Sequence, residues 1–184
     1  MWNCNSSNKT EHKYFVSILL KNNICILSES WTDEHFDFNL PEYICLNFFR
    51  KFKHRNAKRN SGGLTIYINE SIKDGISIVR NHCDTLVWLK LDSLFFCLPQ
   101  DIYLRALYMW PDVSPAARIY DVDLFDMLQN DVFHFESLGS VVRAGDVNAR
   151  VGLKPDYIVW DALVQNLILV IITETHPQSG PLRI

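Results

Sequence analysis

Three places in this sequence combine residue types that can bind a cation and a phosphate. Glu29 follows the apolar run Ile24-Cys25-Ile26-Leu27-Ser28. An acid at the end of a buried strand must be solvated, paired or bound to a metal. The plainer reading is that Glu29 marks where the strand surfaces. Asp146 and Asn148 stand two apart after Gly145. In extended backbone they point the same way. A carboxylate and an amide on one side suit a hydrated divalent ion and a phosphate. Gly-Asp-Val-Asn is also good turn composition. Asn3 and Asn5, in Trp2-Asn3-Cys4-Asn5, repeat the spacing at the start of the chain.

A basic stretch adds a second kind of chemistry. Residues 50–59 hold six lysines and arginines: Arg50, Lys51, Lys53, Arg55, Lys58 and Arg59. The stretch has neither helical nor strand period and runs into Ser61-Gly62-Gly63, so it reads as a loop. It can neutralise several phosphates in a salt-sensitive way, or it is a solvated surface loop. The formal net charge is -3, so nucleic-acid binding would have to be local.

These residues need elements to position them. The helix signals are Thr10, which can cap a turn carrying Phe15, Ile18 and Leu19, and Ser114-Pro115, which opens a longer amphipathic run. In that run Ile119, Val122, Phe125, Leu128 and Val132 form the apolar face. Asp121, Asp123, Asp126 and Asp131 fall on the rest. Strand patterns cover 24–28, 43–49, 64–68, 76–79, 86–91, 94–98, 102–109 and 140–144. Arg105 and Arg143 interrupt two of them, and a charge inside a strand is costly unless paired. Strands in close succession among helices imply an α/β protein with mixed sheets.

The remaining bulk numbers are ordinary. The chain has 184 residues, 48% hydrophobic and 21% charged, which suits one domain. The five cysteines form no C-x-x-C pair and read as reduced thiols. No signal peptide or membrane span is legible, so an intracellular, nuclear or cytoplasmic protein is expected.

Taken in order, the motifs resemble the endonuclease/exonuclease/phosphatase superfamily, which has the DNase-I-like fold. Within it they are similar to the endonuclease domains of LINE-type, non-LTR retrotransposons. Trp2-Asn3-Cys4-Asn5 is similar to a W-N-x-[DN]-G block, with Ser6 in place of the glycine. I-C-I-L-S-E-S-W, ending at Trp31, is similar to D-I-x-x-L-x-E-T-W. S-G-G-L-T-I-Y, ending at Tyr67, is similar to G-G-V-x-I-Y. Leu107-Tyr108 with Pro111 and Ser114 is similar to Y-x-P-P-x-x-S. Gly145 to Arg150, then Gly152, is similar to G-D-F-N-A-R-x-G.

The resemblance implies a four-layer α/β sandwich of two facing mixed sheets with outer helices, incomplete at the C-terminus. It assigns residues 1–160 to the domain and leaves 161–184 as a divergent tail. Glu29, helped by Asn3, would hold one magnesium or manganese ion. Tyr108 would contact the scissile phosphate. Asp146 and Asn148 would orient the reacting groups. The substrate would be DNA, held by its phosphate backbone, and the reaction phosphodiester hydrolysis. The family pattern goes on to a later Asp and a closing Ser-Asp-His. Near His176-Pro177, Thr175 stands where that Asp belongs, and His176 receives no role. Weak or absent activity is therefore expected. The alternatives are a non-catalytic fragment with weak nucleic-acid binding, or a phosphoesterase of the same fold acting on inositol phosphates or lipids.

Overall fold

A computed structural model describes residues 1–6, 13–36, 38–51, 60–82, 84–110 and 123–147. The elements are β1 (Trp2–Asn3), α1 (Lys13–Leu19), β2 (Ile24–Ser28), β3 (Tyr43–Phe48), β4 (Leu64–Asn69), a 3-10 turn (Glu70–Gly75), β5 (Ile76–His82), β6 (Leu86–Leu91), α2 (Ser93–Phe96), β7 (Ile102–Tyr108), α3 (Leu124–Glu136) and β8 (Ser140–Asp146). The expected helix starts at Thr10 and Ser114, and the tail 161–184, lie outside the described residues.

Two four-stranded sheets form, in the orders β1-β2-β4-β3 and β5-β6-β7-β8. Both are mixed. β1 joins β2 in parallel and β8 joins β7 in parallel, while the other pairings are antiparallel. Alternation along the strands explains the layering. Ile26, Leu64, Ile66 and Ile68 of the first sheet meet Val87, Leu89, Leu91, Leu104 and Ala106 of the second in a shared core. The opposite face of the first sheet offers Cys25, Leu27 and Tyr67 to Phe15 and Leu19 of α1. The opposite face of the second offers Trp88, Tyr103 and Leu107 to Leu124 and Phe135 of α3. Helix, sheet, sheet and helix therefore stack as four layers.

Three local expectations change. The run 94–98 is not a strand, because the Asp92 carboxylate accepts from the Leu94 and Phe95 amides and starts the short helix α2. In α3 the apolar face is rotated from the one expected. Phe125 is 59% exposed while Asp131 is 2% exposed. Asp131 goes inside because three donors meet it there: Arg80 Nη1, His82 Nε2 at 3.0 Å and Trp88 Nε1 at 2.8 Å. Arg143 is tolerated in β8 because its side chain is half exposed and meets Glu136 of α3 at 2.9 Å.

Among the described residues no helix is long and apolar enough to cross a membrane. Cys4, Cys25, Cys45 and Cys97 are in no disulfide. Burial pushes the Cys25 thiol up to about 12.

Candidate active site

Sheet register determines which predicted residues meet. Asn3 pairs with Ser28 across β1 and β2, and Tyr108 pairs with Asp146 across β7 and β8. Each pair shares a face. Tyr108 is two residues from Ala106, and Asp146 two from Ala144, so they continue the inter-sheet core to the end of their sheet. Asn3 reaches them from the other sheet. Its Nδ2 donates to Asp146 Oδ2 at 3.0 Å. The Tyr108 hydroxyl donates to Glu29 Oε1 at 2.8 Å. Two hydrogen bonds thus cross between the sheets at one edge and join Asn3, Glu29, Tyr108 and Asp146.

The backbone beside these side chains is bent out of strand geometry. Glu29 and Trp31 both have φ of 53°, Asn5 has 47° and Ser6 has 117°. Left-handed backbone at non-glycine residues is uncommon and is concentrated at functional sites. The two segments hold each other: Cys4 N donates to Ser28 O and Ser6 N to Glu29 O, each at 2.9 Å. Trp31 N donates to Gly62 O at 2.9 Å. The turn at Glu29 swings its carboxylate off the strand line toward Tyr108.

Tyr108 is 5% exposed. Burial first, then the hydrogen bond to Glu29, raises its phenol well above the ordinary tyrosine value. It therefore stays a protonated donor across the physiological range. Tyr108 donates to Glu29 Oε1, and among the described residues no hydrogen bond reaches Oε2. Glu29, Asp146 and Asn3 carry oxygens of the hard kind that magnesium accepts alongside several waters, and the Asn3 amide oxygen already accepts from Asn5 N at 3.2 Å. Among the described residues no three His, Cys, Asp or Glu side chains cluster as a metal cage by themselves. An ion here would rely on two carboxylates, an amide and water.

The basic stretch divides. Lys51 is exposed. Lys53, Arg55, Lys58 and Arg59 lie outside the described residues, as does Asn148. Arg50 is no solvated loop residue. Its Nε is 3.2 Å from Asp84 Oδ2, and the two side chains are 11% and 1% exposed. Its Nη1 donates to Ser61 Oγ at 3.1 Å, and its Cζ lies 5.9 Å from the Trp110 ring centroid. A Cβ on Gly62 would come within 2.5 Å of Arg50 Nη2, and Gly62 has φ of 76°. That explains one glycine of the Gly-Gly motif by close approach as well as by backbone.

Asp84 was not singled out from the sequence. Its signal was slight, an acid directly before the buried run Thr85-Leu86-Val87-Trp88. Arg50 was legible only as one charge of the basic stretch, and Trp110 is the residue between Tyr108-Met109 and Pro111. Together they form a cationic, aromatic flank next to Tyr108, where the guanidinium acts electrostatically on the phenol.

No family model matches the chain, and no curated protein matches it. Solved structures do. The fold is similar to the human Nocturnin catalytic domain with bound sulfate, at 13% identity and a TM-score of 0.48, covering 81% of this chain and 62% of that one. It is also similar to truncated Caenorhabditis elegans TDP2, at 13% identity and a TM-score of 0.46, covering 84% of this chain and 64% of that one. A further structure of the worm TDP2 has 12% identity and a TM-score of 0.46, with 82% and 45% covered. The likeness is one of fold, and the chain spans less than two thirds of each of these structures.

Proposed function

We propose that this chain carries part of a metal-assisted phosphodiesterase of the DNase-I-like fold, of the retroelement endonuclease type, acting on DNA. The observation that carries the proposal is the pair of inter-sheet hydrogen bonds, Asn3 to Asp146 and Tyr108 to Glu29. Residues far apart in sequence, singled out by resemblance to one nuclease family, gather at one sheet edge. Nothing in core packing alone demands four polar side chains there.

Glu29 would hold a divalent ion, with Asn3 and Asp146 beside it. When bound, the ion would supply Lewis-acid polarisation of a phosphoryl oxygen. The protein's own contribution is positional. Tyr108 keeps its proton and can donate to a phosphate oxygen once Glu29 is engaged elsewhere. Asp146 is oriented by Asn3 and accepts hydrogen bonds from a water or leaving group. Arg50, paired with the buried Asp84, braces one flank of the site beside Tyr108 as part of a neutral ion pair. The recognised motifs include no general base, and such a base typically contributes ~10²–10⁴-fold. Slow turnover by this chain alone is part of the proposal.

The test is nicking of supercoiled plasmid by purified protein in magnesium, set against Glu29→Gln and Asp146→Asn. Nicking that both substitutions abolish supports the proposal. Nicking that survives both, or none from the parent chain above them, overturns catalysis by these residues. Turnover of a soluble phosphoester without DNA cleavage would move the substrate to that class.

A further inference from the structure

The outer face of the second sheet carries a transverse row of charge that the candidate site does not use. Strand register sets Arg80 opposite Trp88, Trp88 opposite Arg105, and Arg105 opposite Arg143. Four adjacent strands thus present three guanidiniums and one indole in a line under and beside α3. Helix α3 answers with two carboxylates. Asp131 takes Arg80, together with His82 and Trp88. Glu136 takes Arg143 at 2.9 Å. Arg105, in the middle, receives none among the described residues.

Arg105 is the anomaly. It is 7% exposed, and its Nε is buried with no hydrogen-bond partner. It feels Arg143, a charge of the same sign that faces it across β7 and β8. Trp88, Tyr103 and Leu107 around it are apolar-packed members of the α3 interface. Burial first, and Arg143 second, lower its guanidinium from 12.5 to about 10. A buried cation next to a second cation is among the costliest arrangements in a folded chain. It becomes favourable when an anion sits between the two. A guanidinium offers a planar fork of donors that matches oxyanions. Arg143, whose side chain is 53% exposed, holds Glu136 by the weak kind of surface pair and can turn to share such an anion.

We propose that Arg105 and Arg143 form a binding site for a small phosphate-class oxyanion on the outer face of the second sheet. Arg105 supplies the floor and Arg143 the rim. The occupant proposed is a single phosphate group, free or at the end of a small molecule. The site lies on the opposite face of β7 from Tyr108, and it stands whether or not the chain cuts DNA.

The test is thermal unfolding of the whole chain in rising inorganic phosphate, against sodium chloride of equal ionic strength. The parent chain should show a saturable rise in melting temperature with phosphate and none with chloride. Arg105→Met should abolish the saturable rise, and Arg143→Met should weaken its midpoint at least tenfold. Arg105→Met removes an uncompensated buried charge and keeps the chain length, so in chloride it should melt at or above the parent. If it fails to fold, Arg143→Met, an exposed change, decides by itself. A parallel titration with a nucleoside monophosphate separates the two sources, since stabilisation at lower concentration than phosphate identifies a terminal phosphate. No saturable rise in the parent overturns the proposal. So does a rise that Arg105→Met or Arg143→Met leaves unchanged, because the anion then binds elsewhere.

Discussion

Arg50 separates two physical pictures of the basic stretch, and a mutant cycle decides between them. In the first, Arg50 is one more charge on a solvated loop, and Arg50→Met changes stability by no more than about 0.5 kcal/mol. In the second, it is half of a buried ion pair. At 3.2 Å, with an effective dielectric constant of about 20, the gross attraction is about 5 kcal/mol. Asp84 is 1% exposed in its side chain, and its Oδ1 already lacks a hydrogen bond. Removing Arg50 leaves both carboxylate oxygens buried without a donor. Breaking such a pair costs about 3–5 kcal/mol. Asp84→Leu should cost a similar amount by stranding the guanidinium. The double variant Arg50→Met/Asp84→Leu strands nothing, since replacing a buried pair by apolar groups is often neutral or stabilising. It should therefore return to within about 2 kcal/mol of the parent, a coupling of more than about 3 kcal/mol. Urea unfolding followed by tryptophan fluorescence measures all four corners, and Trp110 reports from beside the pair. High salt should leave the coupling largely intact, because buried pairs are poorly screened. A single-variant loss below about 1 kcal/mol, or a coupling below about 0.5 kcal/mol, would refute the reasoning. DNA affinity gives an independent reading. A phosphate contact should lower the salt slope by about 1 when removed, whereas a charge already neutralised by Asp84 should not.

Three further outcomes are expected. Asp131→Ala strands Arg80, His82 and Trp88 Nε1 and should lower stability by about 3–5 kcal/mol, read as a drop in urea midpoint; an effect under about 1 kcal/mol would mean that water replaces the carboxylate. Ser6→Gly should stabilise by about 1 kcal/mol, because φ of 117° at Ser6 belongs to a region that glycine enters freely; no gain in melting temperature would count against strain there. The phenols of Tyr67 and Tyr108 are both raised above the ordinary tyrosine value, chiefly by burial. An acid with a raised folded value contributes stability that is present below its unfolded value and lost as pH climbs through and beyond it. Stability should therefore fall above about pH 10, and two tyrosines should ionise only with unfolding in a tyrosinate absorbance titration; full ionisation of a still-folded chain would contradict their burial.

The parts of the fold that sequence displayed well were those with a strict period. β2, β4, β6 and β7 are apolar runs or alternations bounded by polar turns, and each appears within a residue or two of its expected place. Glu29, Tyr108, Asp146 and Asn3 were legible through ordered motifs, and the structure brings them together. What stayed hidden depends on partners far along the chain. Asp131 looks like a surface acid on an amphipathic helix, and only the register of Arg80, Trp88 and His82 across β5 and β6 turns it inward. Arg105 and Arg143 look like equal intrusions into apolar strands. Their fates differ because β8 flanks β7 on the described edge of the sheet, so Arg143 reaches solvent and Glu136 while Arg105 is covered.

The same logic explains why the candidate site depends on its least regular element. β1 is two residues long, with one pairing at Trp2 to Leu27 and one at Asn3 to Ser28. Isolated, so short a strand would not hold. It is kept by the backbone bonds from Cys4 and Ser6 to Ser28 and Glu29 and by the burial of Cys4. Those bonds in turn require the left-handed turns at Asn5, Ser6 and Glu29. Strain and site are therefore one feature: relaxing the backbone at Glu29 to extended geometry would move its carboxylate off Tyr108 and withdraw the acceptor for Ser6. The Asn3 amide would lose its route to Asp146. Ile26 and Leu27 are buried on opposite faces of β2, upstream of those turns, so their packing does not by itself call for them. The presence of those turns beside two inter-sheet polar bonds is the physical argument for the proposal that this edge is a catalytic site.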